Sequence, residues 1–156
     1  MPTRTSRSRG DVVAAKERGA DVPLVLFDGV CGLCDRAVQF LLRHDRHQAL
    51  LFAPLQGETA RSVLVPGPSG NDVLSAMIFV RGYGTRHPAT FARSDAWIEI
   101  LRELGGAWGI GAWLRFIPRP IRDLVYDWIA RNRYAWFGKF DQCRIPSPEE
   151  RARFLP

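Results

Sequence analysis

Leu24-Val25-Leu26-Phe27-Asp28-Gly29-Val30-Cys31-Gly32-Leu33-Cys34 joins two elements of opposite character. Four consecutive apolar residues stopped by Asp-Gly read as a strand buried on both faces of a sheet. Asp28-Gly29-Val30 then forms a short loop. From Cys31 onward Cys34, Val38, Leu41 and Leu42 recur at helical spacing, while Asp35, Arg36, Arg43 and Asp45 take the other side. The spacing predicts an amphipathic helix with Cys31 in its first turn.

Leu50-Leu51-Phe52-Ala53 reads as a second strand. A β-α-β order calls for a parallel pair with a right-handed crossover. Glu58 to Leu64 suits a short helix, ended by Pro66-Gly67-Pro68-Ser69-Gly70. A third strand covers Ala76 to Val80, and Gly82-Tyr83-Gly84 turns the chain into a fourth around Arg86 to Phe91, which Pro88 confines to an edge. Ser94 is positioned to cap a helix with inward stripe Trp97, Ile100, Leu101 and Leu104, closed by Gly105-Gly106. The result is an α/β domain of order β-α-β-α-β-β-α over residues 22–106. Residues 1–21 read as a basic tail outside it. Residues 107–156 read as a helical extension and strap packed on the same domain. One of its helices carries Ile110, Trp113, Leu114 and Ile117. The next begins after Pro118-Arg119-Pro120 and carries Ile121, Leu124, Val125, Trp128 and Ile129. The extended strap after Gly138 contains Cys143.

With 46% hydrophobic and 24% charged residues in 156, the chain has the composition of a globular protein. The net charge of +6 is uneven: residues 115–156 hold nine Lys and Arg against five Asp and Glu, whereas 23–114 balance. Solvation accounts for such charge more readily than nucleic-acid binding does, so no nucleic-acid partner is expected. Arg115, Arg119, Arg122, Arg131 and Arg133 lie among Trp and Phe residues that could rest weakly on a membrane surface or grip an acidic partner. Their narrow helical stripes favour packing over the sheet. The uncharged run Leu104 to Leu114 has eleven residues, short of the roughly 20 that span a bilayer. The N-terminus lacks a signal-peptide apolar region, so the expected compartment is the cytoplasm.

Residues three apart on a helix lie roughly 5 to 5.5 Å apart at Cα, within disulfide range, so Cys31 and Cys34 can bridge. The helix N-terminus favours an anion, which should pull the Cys31 thiol below the usual ~8.5 and make it the nucleophile. Cys34, one turn further in, is expected to be the more buried thiol and the one that resolves a mixed disulfide. The alternatives are inert thiols or a zinc site. The latter would need Cys143, His44, His47 or His87, which show no second paired spacing. Asp28 either relays protons to Cys34 or ends the strand as an Asp-Gly turn. Cys143 either exchanges with the pair or packs as a small apolar residue.

DGVCGLC after an apolar strand, RSDAW at 93–97 and DLVYDWIARNRYAWFGKFDQC at 123–143, in that order, resemble the DCC family of thiol-disulfide oxidoreductases. The resemblance spans about residues 23–156. It implies a thioredoxin-like domain with a helical C-terminal extension, Cys31 and Cys34 as the dithiol and Asp28 as the leading Asp. Well-studied thioredoxins place a cis-Pro before the third strand, where Leu74-Ser75-Ala76 stands here. Glutathione-binding relatives hold a carboxylate with a Ser or Asp at the positions of Ser94 and Asp95. Gly29, Val30, Gly32 and Leu33 border the pair and complete the expected substrate-contacting set. The expected activity is dithiol exchange with a disulfide-containing protein or glutathione-type substrate, recharged by an unidentified reductant, with no metal or organic cofactor. The alternative is a non-catalytic module that uses its basic C-terminal face.

Overall fold

A computed structural model describes residues 22–64, 77–141 and 145–156. The expected basic tail, the Pro/Gly segment after Leu64, the cis-Pro position and Cys143 all lie outside these residues.

Four strands form one mixed sheet in the order β2-β1-β3-β4: β1 (Val22–Phe27), β2 (Leu51–Pro54), β3 (Ile78–Tyr83) and β4 (Ala89–Ala92). β1 runs parallel to β2, with Val25 opposite Phe52, and antiparallel to β3, with Val25 opposite Phe79. Among the described residues β4 pairs only with β3 and is the edge that Pro88 predicts. All six residues of β1 are buried because it is a central strand covered on both faces. Val25, Phe27, Phe52 and Phe79 pack on one side beneath α1 (Gly32–His44) and α3 (Arg93–Leu104). Leu24, Leu26, Leu51, Ala53, Ile78 and Val80 pack on the other with Ala60 of α2 (Glu58–Val63). The arrangement is a thioredoxin-like α/β fold. A 3₁₀ segment (Gly106–Phe116), α4 (Arg119–Phe137) and a short 3₁₀ turn (Arg151–Arg153) follow.

Four local expectations are overturned. Asp45 is buried, not outward: its carboxylate accepts the backbone N–H groups of Ala49 (3.2 Å) and Leu50 (2.9 Å) and pairs with Arg153 from the C-terminal strap. A charge that closes a helix and meets a partly buried cation is satisfied inside. Ser94 does not cap α3, which Ala92 precedes without a side-chain cap; its hydroxyl instead donates to Asp123 and accepts from Arg122 (3.1 Å).

The third concerns residues 106–116, which wind as a 3₁₀ rather than an α-helix. Gly106, Gly109 and Gly111 remove the α preference, and Gly111 lies so close to Leu101 that a Cβ would stand 2.3 Å from its Cδ1. With three residues per turn, Ile110, Trp113 and Phe116 line up along one edge. The last follows from this geometry: the outward side chains of the 3₁₀ segment and α4 do not pack over the sheet, although Phe154 of the strap stacks on Phe52. Ile110, Trp113, Phe116, Leu124 and Trp128 are all exposed.

Candidate active site

Cys31 stands immediately before α1 in extended conformation (φ −93°, ψ 121°), and its carbonyl accepts the first helical hydrogen bond, from Asp35 N–H at 3.0 Å. Cys34 lies one turn in, on the buried stripe with Val38 and Leu41. The two cysteines are 3.5 Å apart and unbridged. Both cysteines are buried, Cys31 with 0% exposure and Cys34 with 7%. The strap closes over Cys31. Lys139 pairs with Cys31 in an antiparallel bridge, Gly32 N–H donates to Gly138 O (3.2 Å), and Phe140 N–H donates to Val30 O (2.7 Å). Only glycine fits at position 32, because a Cβ there would lie 2.1 Å from the Phe137 carbonyl oxygen.

The environment separates the two thiols. The Cys34 side chain donates to the Cys31 sulfur, which lowers the Cys31 thiol from 9.0 to about 6 against the opposing cost of burial; the Cys34 and Leu33 backbone groups and the Arg133 charge assist. The same bond, burial and the charge on Cys31 push the Cys34 thiol far above its ordinary range. The pair therefore holds one thiolate and one thiol at neutral pH. Iodoacetamide alkylation of Cys31 in the reduced protein is expected to follow this titration, falling below pH 6 as the thiolate is protonated and levelling above it. A midpoint near pH 8.5, read by mass spectrometry of the Cys31 peptide, would contradict the assignment.

Asp28 makes the expected turn and is held by further partners besides. One carboxylate oxygen accepts Val30 N–H (3.2 Å), which makes the expected turn, and Gln56 Nε2 (3.0 Å). The other accepts the Arg133 guanidinium (3.1 Å) and the Tyr134 hydroxyl (2.5 Å). Asp28 and Arg133 are both buried, and the Arg133 charge lowers both thiols. Tyr134 and Gln56 escaped the sequence reading, and Arg133 entered it only as one of the C-terminal surface arginines. A signal for Arg133 was present, since it continues the Tyr126, Ile129, Ala130 stripe of α4 at i, i+3, i+4, i+7, where a cation facing inward needs a buried anion.

The expected substrate-contacting residues divide. Gly29 N–H is taken by Gln56 Oε1 (3.3 Å), and the backbone of Val30 and Gly32 by the strap. Leu33 and Ser94 line a cavity of about 610 Å³ bounded by α1, α3, the 3₁₀ segment and α4, with Cys34 in its wall. Its lining is apolar, including Phe40, Met77, Trp97 and Ile129, and its charged members are Arg36, Arg122 and Arg133. Asp95 lines a separate cleft with Glu99 and Arg115 and pairs with Arg122 (2.9 Å) and Arg119 (3.0 Å). The structure thus brings Ser94, but not Asp95, to the cavity of the pair. Among the described residues no three of His, Cys, Asp and Glu gather into a cluster able to hold a metal.

The uncharacterized protein YuxK of Bacillus subtilis is 39% identical over 133 residues, covering 85% of this chain and 93% of the relative. A chloroplastic DCC family protein of Arabidopsis thaliana is 32% identical over 124 residues, covering 79% of this chain and 69% of the relative. No solved structure matches the chain significantly. The model of the DCC1-like thiol-disulfide oxidoreductases matches residues 25–139, from β1 through α4 to the strap residue that bridges Cys31. With the dithiol, its Asp28 partner and the covering helix all inside that span, the chain belongs to the DCC1-like thiol-disulfide oxidoreductase family.

Proposed function

We propose that the protein is a dithiol oxidoreductase in which Cys31 is the nucleophile and Cys34 the resolving thiol. The observation that carries this reading is the division of the pair into a thiolate at about 6 and a strongly raised thiol 3.5 Å away. The Cys31 thiolate attacks one sulfur of a substrate disulfide; a Cys31–substrate bond forms, the substrate S–S bond breaks, and one substrate thiolate leaves to take a proton from solvent. Formation of that mixed disulfide removes the main reason for the raised Cys34 thiol, its bond to a Cys31 anion. Arg133 then favours the Cys34 thiolate against burial. Cys34 loses its proton and attacks the Cys31 sulfur, closing the Cys31–Cys34 disulfide and releasing the second substrate thiolate. Two electrons pass from the dithiol to the substrate, and a thiol reductant returns them.

The substrate classes in this proposal are a disulfide-bearing protein or a glutathione-type disulfide, in a reducing compartment such as the cytoplasm. Equilibration in glutathione redox buffers, with the Cys31–Cys34 state read by alkylation and mass spectrometry, tests it. One reversible two-electron transition, abolished in Cys31→Ser, is expected; a pair that never bridges would overturn it.

A further inference from the structure

The outward side chains of the 3₁₀ segment and α4 form an exposed apolar ridge. Trp113 (72% exposed) and Phe116 (77%) sit at one end, and Leu124 (69%) and Trp128 continue it along α4. Trp113 and Phe116 rings meet at 5.9 Å, and Trp128 meets Trp136, also exposed, at 5.0 Å. Soluble surfaces rarely leave so many large apolar groups together unless they meet another phase or a partner.

The charges around the ridge indicate what it meets. Arg115 and Arg131 are exposed on these elements, and Lys139 is exposed just past α4. The two acids on these elements are already paired, Asp123 with Ser94 and Arg119, and Asp127 with Arg93 (3.5 Å). A second copy seated face to face would bring these cations against themselves, so the charge favours an anionic occupant. Exposed Trp, Phe and Leu flanked by Arg is the chemistry of an element lying in the headgroup region of a bilayer. No described helix is long and apolar enough to cross one. A surface seat needs no such helix. Leu114, Ile117, Ile121 and Val125 belong both to the ridge and to the wall of the Cys34 cavity, so the two are continuous.

We propose that this ridge is a membrane-docking site that seats the protein on anionic lipid, with α4 lying along the surface. The proposal stands independently of the redox chemistry. The full chain should co-sediment with vesicles of phosphatidylcholine and phosphatidylglycerol in equal parts, less with phosphatidylcholine alone, and less as salt rises. Trp113→Ser with Phe116→Ser and Trp128→Ser should lower the partition coefficient about ten-fold or more while leaving far-ultraviolet circular dichroism unchanged, because these side chains support no core. Arg115→Gln with Arg131→Gln should weaken binding to the anionic vesicles and leave the weaker binding to phosphatidylcholine in place. Absence of binding to the anionic vesicles overturns the proposal, as does binding that the serine variant retains. A dimer in light scattering that the serine variant dissociates also overturns it and assigns the ridge to self-association.

Discussion

Replacing Arg133 with Met is expected to destabilise the reduced protein by about 3–5 kcal/mol, the usual consequence of removing one member of a buried ion pair. The Asp28 carboxylate would stay buried with Val30 N–H, Gln56 and the Tyr134 hydroxyl as its remaining side-chain and turn partners among the described residues. The same substitution should raise the Cys31 thiol from about 6, because a positive charge near the thiolate is lost. The return toward 9.0 should be partial, since the Cys34 hydrogen bond is the larger cause and survives. Asp28→Asn supplies the contrast. It too should destabilise, but it leaves the Arg133 cation unneutralised beside the pair and should move the Cys31 thiol further down. Urea unfolding reads the first quantity and thiolate absorbance against pH the second. If both variants shifted the thiol in the same direction, Arg133 and Asp28 would be structural partners with no electrostatic hold on the pair.

Gly32→Ala should lift the strap. The new methyl group would meet the Phe137 carbonyl oxygen at 2.1 Å and its carbon at 3.0 Å, and a backbone carbonyl in that position yields only if the strap moves. A cost of about 1–3 kcal/mol is expected, as for other overpacked sites. Its distinctive mark lies in access. Cys31 has no solvent contact while Gly138, Lys139 and Phe140 lie across it, so alkylation waits for local opening. Every 1.4 kcal/mol taken from closure makes the open form about ten times more populated. The plateau rate above pH 7 should rise accordingly, far beyond any change in global unfolding rate. An unchanged plateau would mean that reagent reaches the sulfur without passing the strap, by way of the cavity on the Cys34 side.

The parts of this molecule legible in its sequence are those built from near neighbours. The apolar run Leu24–Phe27, the Asp-Gly break and the spacing of Cys34, Val38 and Leu41 place the strand, the loop and the amphipathic helix without reference to the rest of the chain. Pro88 places the edge strand in the same local way. What failed depends on partners far away. Asp45 looks like a solvated helix-end charge until Arg153 arrives from 108 residues downstream. Ser94 looks like a cap until Asp123 and Arg122 claim its hydroxyl. The full cover over Cys31 does not follow from its helix position; it comes from residues 138–140, which lie over the helix start. Stripe counting also misjudged the C-terminal aromatics: a periodic apolar stripe says that one face seeks apolar company, not that the sheet supplies it.

The Asp28–Arg133 pair joins residues separated by 105 positions. Contacts of such separation form late, after shorter loops have closed. During synthesis the strand, the cysteine loop and α1 leave the ribosome long before α4, so the dithiol spends that interval without its cation and without its cover. The acidity added by Arg133 is therefore acquired only when the last helix docks, and a chain stopped short of residue 133 would carry the Cys-x-x-Cys motif in full yet present a less acidic nucleophile.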